Sequence, residues 1–209
     1  MLTPTDWLDI TRELTAAPVY EGDPAPELYP IARINDGDLC NLTALSLCLH
    51  NGTHMDAPHH FINGGNTIEQ IPPDVFVGSC RVIEWSGELT GIDIDRLPLQ
   101  GVRRLLFKGE IDITPNAAFV LSTLAADGLC LIGVEAQSIA PPAYVLEVHR
   151  QLLGANIILL EGLDLTAATA GDYTLYAFPL KIAEADGAPV RAFLALGAGL
   201  DVEQAFTRS

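Results

Sequence analysis

The chain has 209 residues, of which 49% are hydrophobic and only 18% charged, against about 25% charged in ordinary soluble domains. Lys and Arg number 11 against 27 Asp and Glu, a formal charge of −16, which argues against a nucleic-acid backbone or an anionic membrane surface as partner. The length suits one domain over residues 1–209, and the scarcity of charge points to extra apolar surface buried in a homodimer or homotetramer.

Residues 1–7 contain no basic segment followed by an apolar core, so no signal peptide is expected. No uninterrupted apolar run approaches the roughly 18 residues of a membrane span. Residues 18–30 are rich in proline and acid. Proline removes amide donors and fixes φ, so this segment reads as a loop that can serve as a binding loop or lid. Residues 41–50 alternate as a strand, with Leu45, Leu47 and Leu49 on one face. Asn51-Gly52 breaks it, which puts His50 at a strand end and His54 on the following loop. Gly64-Gly65 reads as a turn outside any phosphate-loop context.

Further strands are expected at residues 80–85, 102–107 and 129–134. Ser122 is a candidate cap for a short helix that Gly128 stops. Residues 143–153 read as a helix ending at Gly154, and 157–160 as a buried strand. Residues 173–182 and 190–196 suggest a hairpin across the turn 184–189. Strands followed by alternating helices and strands indicate an α/β domain with a mixed sheet. Cys40, Cys48, Cys80 and Cys130 form no CxxC pair and are expected as buried free thiols in a reducing cytoplasm.

All five histidines fall into a pattern that suits one metal site. His50, His54, His59 and His60 lie close together, and His149 precedes Glu161 near the end of the predicted helix. Imidazole and carboxylate are the ligands of zinc, manganese and similar ions. His50, His54 and Asp56 read HxxxHxD. The intervening Asn-Gly-Thr lacks the Glu base of helical zinc proteases and favours a turn, so a strand end and a tight turn would aim both imidazoles at one point. Asp56 adds an oxygen ligand, and Asp56 with Glu161 can hold a pair of cations. His149 shares the apolar helix face of Val145 and Leu152, where a core histidine is the plainer alternative. Glu161 closes a buried strand and needs a partner, which a metal would supply. His59 is assigned no role. No GxSxG elbow points to a serine hydrolase.

The segment His-Asn-Gly-Thr-His-Met-Asp-Ala-Pro-His-His-Phe, residues 50–61, resembles the signature HxGTHxDxPxHF of the metal-dependent cyclase family, which includes bacterial kynurenine formamidases and isatin hydrolases. The segment from His149 to Glu161 is similar to that family's distal metal-binding block, and residues 18–24 to its substrate loop. Residues 133–138 match more loosely. The chain departs from the pattern at Glu21, where Pro is usual, and at Glu135 and Ala140, where Asp is common.

The resemblance implies a swivelling β/β/α core in dimers or higher oligomers. It implies one metal on His50, His54 and Asp56, and a second, where present, on Asp56, His149 and Glu161, with Glu161 shared. It implies His60 as the acid/base and Tyr20 as a substrate contact. The expected activity is hydrolysis of a small aryl or cyclic amide by metal-activated water, with N-formylkynurenine as the first candidate and one or two Zn or Mn ions per chain. The alternatives are a lactone or lactam hydrolase or cyclase of the same family, and a non-catalytic, metal-stabilised binding protein whose metal would be coordinatively closed.

Overall fold

A computed structural model describes residues 7–196; of the segment read for a signal peptide, only Trp7 falls within it. In chain order the elements are β1 (Trp7–Asp9), β2 (Glu27–Ala32), β3 (Leu42–Ser46), β4 (His54–Asp56), β5 (Val77–Glu84), β6 (Gly87–Leu89), α1 (Gly91–Ile94), β7 (Arg104–Lys108), β8 (Ile111–Ile113), α2 (Pro115–Thr123), β9 (Leu131–Val134), α3 (Val145–Gly154), β10 (Ile158–Glu161), β11 (Gly171–Pro179) and β12 (Gly187–Ala195). The fold is the expected α/β class with a mixed sheet. Strands follow one another as β1-β12-β11-β5-β7-β9-β10-β4, and β4 pairs again with β12, so every strand of this sheet except β1 closes into a barrel. Strands β5, β7, β9 and β10 run parallel; the pairings of β12 with β11 and β4, of β11 with β5, and of β10 with β4 are antiparallel.

The parallel strands are continuous apolar runs because both of their faces are covered. Leu106, Leu131, Ile158 and Leu160 point into the barrel, where they meet Val82, Leu175 and Leu194. Their neighbours Leu105, Phe107, Ile132 and Leu159 face the other way and pack with Leu121 of α2 and Val148 and Leu152 of α3. Burial of each such side chain is worth about 1.5–3 kcal/mol. Helix α3 is thereby held against β10, and β10 lies beside β4. The centre described below sits at that junction.

Several local expectations shift. Residues 27–30, read as loop, belong to β2. Pro30 is accommodated because among the described residues β2 pairs only with β3, and its register slips between Pro30 and Ala32, an edge position where a missing amide costs no ladder bond. Strand β3 ends at Ser46, so His50 stands in a turn rather than at a strand end. Asn51 closes that turn: its Oδ1 accepts from Cys48 N at 2.9 Å, and its backbone N donates to Cys48 O at 3.1 Å. His54, expected on a loop, opens β4 and is covered by β10 on one side and β12 on the other. Ser122 lies near the end of α2. The cap is Thr114, which accepts from Ala117 N at 3.3 Å ahead of Pro115, a residue pre-set for the first helical turn. Gly128 does end the 3-10 turn that continues α2. All four cysteines are free, but Cys40 is exposed, and Cys48 and Cys130 are only half-buried. Among the described residues no helix is long and apolar enough to cross a membrane.

The β2–β3 hairpin carries Leu28, Tyr29, Ile31, Leu42 and Leu45 exposed to solvent. It forms its own two-stranded sheet apart from the barrel.

Candidate metal centre

Strand register brings the first candidate ligands together. In the β4–β10 ladder His54 lies opposite Glu161, and Asp56 opposite Leu159. The turn before β4 and the residue after β10 are stitched: Thr53 Oγ1 donates to Gly162 O at 2.6 Å and accepts from Arg12 N at 2.9 Å. Helix α3 adds His149 from above. His54, Asp56, His149 and Glu161 are all buried, and His50 nearly so.

The donor atoms converge. His50 Nδ1 lies 2.8 Å from Asp56 Oδ1, and His54 Nε2 lies 3.4 Å from the same oxygen. His54 Nε2 is 3.5 Å from Glu161 Oε2; His149 Nε2 is 3.4 Å from Glu161 Oε1 and 3.6 Å from Asp56 Oδ2. Two ligand sets result, His50–His54–Asp56 and Asp56–His149–Glu161, each with donor atoms within 4.8 Å of one another. Asp56 is the member common to both, while Glu161 also reaches His54. A third set, His50, His60 and Asp186, stands on the more open side.

Among the described residues Asp56 Oδ2 is buried with no hydrogen-bond donor. An orphaned carboxylate oxygen in the interior is costly, and a cation there would satisfy it. Three imidazoles and two carboxylates form the mixed N/O set that suits zinc or manganese, so the residues present fit a divalent ion. Glu161 Oε1 is fixed by a 2.7 Å bond from Ile139 N. His54 and His149 are oriented by contacts of Nδ1 with Gly52 O and Val145 O, at 3.1 and 2.7 Å.

Neighbouring charges and burial set the protonation of the cluster. Burial works against a charged His54, but Asp56 and Glu161 outweigh it and push its pKa up to about 10. His50 and His149 are raised in the same way, against burial, chiefly by Asp56 and Glu161 respectively. Burial opposes charge on Asp56 too, yet His50 and His54 hold it well below the usual carboxylate range. His60 differs. Burial is its largest influence and sets it below the ordinary imidazole value.

His50, His54, His60, His149 and Glu161 line one cavity of ≈ 210 Å³ together with Tyr20, Phe61, Gln137 and Ser138. This suits a small ligand, since drug-sized pockets run about 300–1,000 Å³. The Phe61 ring lies 4.4 Å edge-on to His60 and 4.3 Å from His149, bracing both. His59 points to solvent. A larger cavity of ≈ 750 Å³, lined by Arg12, Pro18, Glu110 and Glu135 among others, holds none of the histidines; the convergent donors, not size, mark the chemical site. Sequence reasoning placed every histidine and carboxylate of the two ligand sets but missed Asp186. That residue sits in a polar hairpin turn, and nothing in its local pattern distinguishes it from a surface acid.

Residues 8–168 match the Cyclase family model, described as "Putative cyclase". A kynurenine formamidase of Salinibacter ruber is 36% identical over 203 residues, covering 90% of this chain and 96% of the relative. A solved structure described as a potential metal-dependent hydrolase with cyclase activity superposes with a TM-score of 0.77 at 30% identity, covering 90% of this chain and 96% of the other. Isatin hydrolase A from Ralstonia solanacearum shares the fold, with a TM-score of 0.78 at 22% identity over 91% of this chain and 92% of its own. With the family model spanning most of the chain and a relative aligned nearly end to end, the chain belongs to the cyclase family.

Proposed function

We propose that this protein is a metal-dependent amidohydrolase that cleaves a small aryl amide, with N-formylkynurenine as the first substrate. The observation that carries the reading is the buried ligand cluster with its orphaned Asp56 oxygen, opening into the same small cavity as His60 and Tyr20. The kynurenine formamidase relatives support the substrate class. His50, His54 and Asp56 would hold one divalent ion, and Asp56, His149 and Glu161 a second. Such an ion, zinc or manganese, supplies Lewis acidity that acidifies water toward a pKa of about 7 and polarises an amide carbonyl.

His60 carries the proton. Held below the ordinary imidazole value by burial, it is neutral at neutral pH and can accept a proton from water as the water oxygen bonds to the carbonyl carbon. As the C–N bond breaks, the same imidazole returns that proton to the departing nitrogen, because an amine leaves poorly unless protonated. Tyr20 presents a ring on the cavity wall that can stack on the planar substrate. The four free thiols suit a reducing cytoplasm. The exposed apolar β2–β3 hairpin supports a homodimer or homotetramer.

The test is metal content followed by turnover. Unchelated protein should carry one or two equivalents of zinc or manganese per chain and hydrolyse N-formylkynurenine in preference to lactams and lactones. Less than about a tenth of an equivalent, with no uptake on titration, would sink the metal reading. Turnover confined to lactones would sink the amide reading.

A further inference from the structure

The imidazoles of the centre are oriented in two different ways. His54 and His149 each turn Nδ1 to a backbone carbonyl. A carbonyl only accepts, so both rings keep their proton on Nδ1 and present Nε2 inward. His50 is reversed. Its Nδ1 faces Asp56 Oδ1 at 2.8 Å, and its Nε2 faces the carboxylate of Asp186 at 3.2 Å. The same Asp186 oxygen lies 3.5 Å from His60 Nδ1. The His50 and His60 rings stack at 4.0 Å with planes 22° apart.

We infer that Asp186 is a positioning residue: it accepts the Nε2–H of His50 and flanks the Nδ1 edge of His60, holding ligand and proton carrier in one stack. The inference rests on the roles given to His50 and His60 above. His50 has one lone pair to offer. Asp186 takes the Nε2–H, which leaves Nδ1, 2.8 Å from Asp56 Oδ1, as the nitrogen that would give up the proton it shares with Asp56 and offer its lone pair to a cation beside that carboxylate, whose second oxygen is orphaned. This also argues against a separate metal on His50, His60 and Asp186, which would need the Nε2 lone pair.

The backbone builds Asp186 into place. Its carbonyl accepts from Ala57 N at 2.9 Å, and the preceding Ala185 carbonyl accepts from Ile68 N at 2.9 Å. Gly187 pairs with Asp56 across β12 and β4. A Cβ on Gly187 would come within 2.7 Å of His50 Cε1 and 2.6 Å of Met55 O. The strand start that carries Asp186 is therefore packed directly against the ring that Asp186 orients. Metal-ligating histidines almost always donate their second N–H to such a partner, and loss of the partner typically costs about 10–100-fold in metal affinity or activity.

The experiment compares wild type, Asp186→Ala and Asp186→Asn. Zn²⁺ and Mn²⁺ affinities are measured by chelator competition, and kcat and KM on N-formylkynurenine at saturating metal. Asp186→Ala should bind metal about 10–100-fold more weakly and lose kcat with little change in KM. Asp186→Asn keeps an oxygen that accepts the Nε2–H, so it should recover most of the affinity, which a general packing defect would not allow. Unchanged affinity and kcat in Asp186→Ala overturn the inference, as does an Asn variant no better than Ala. If wild type itself binds no metal and cleaves no amide, the functional reading falls, and metal-free crystals of wild type and Asp186→Ala decide this one. A His50 ring that turns away in the variant supports it; a ring that keeps its place overturns it.

Discussion

Gly162 is the sharpest test of how the fold holds the centre. It follows Glu161 directly and has φ +69°, a left-handed conformation. A Cβ there would lie 2.2 Å from Gly52 O and 2.9 Å from Gly52 C, both backbone atoms that no rotamer change can move. Gly162→Ala therefore adds about 1–2 kcal/mol of left-handed strain to about 1–3 kcal/mol of overpacking, or about 2–5 kcal/mol together. For a chain of this length that lowers Tm by about 4–20 °C. Gly52, at φ +64°, is the control: its Cβ would meet the Leu14 side-chain tip at 3.2 Å and Leu14 Cα at 3.5 Å, so strain dominates and the loss should be smaller. The displaced Gly52 carbonyl is also the acceptor facing His54 Nδ1 at 3.1 Å, so Gly162→Ala should weaken metal binding as well as the fold. The assay is thermal unfolding of chelator-treated protein, with metal competition in parallel. A Tm loss for Gly162→Ala no larger than for Gly52→Ala, with metal affinity intact, would refute the close-approach argument.

His60→Ala should lower kcat by about 10²–10⁴-fold while retaining metal, whereas His54→Ala should lose the metal itself; a His60→Ala protein that is also empty makes His60 a ligand. Tyr20→Ala should raise KM for an aryl amide with metal content intact, and an unchanged KM places the aryl contact elsewhere. In metal-free protein the His54 pKa is raised from 6.5 to about 10, so its stabilising contribution is fully present below about pH 6.5 and is lost as pH rises through about 10. Between about pH 6 and 10, chelated wild type should lose more Tm than chelated His54→Ala, and metal affinity should rise over the same interval as protons leave the ligand; equal Tm slopes would contradict this. Light scattering at micromolar concentration should give a mass above the 22.4 kDa of one chain, and a monomer mass removes the role given to the β2–β3 hairpin.

Chemistry concentrated along the chain was legible without coordinates. The block from His50 to His60 carries its candidate ligands within a few residues, and its spacing is a local property. The apolar face shared by Val145, His149 and Leu152, and the burial of residues 157–160, follow from periodicity and composition, so His149 and Glu161 were within reach. Local hydrogen bonding misled where side chains compete with the backbone. Asn51 folds its amide back on Cys48 and ends β3 early, and Thr114 rather than Ser122 caps α2, because Pro115 accepts the first helical position. What only the tertiary structure decided is pairing. Closure of the barrel through β4 and β12 joins segments far apart in sequence, and strand register rather than residue type sets His54 opposite Glu161. Asp186 stands 136 positions from His50, in a turn that looks like any solvated hairpin end. Its meeting with His50 and His60 exists only because Gly187 pairs with Asp56, a contact set by the pleat and twist of a closed sheet.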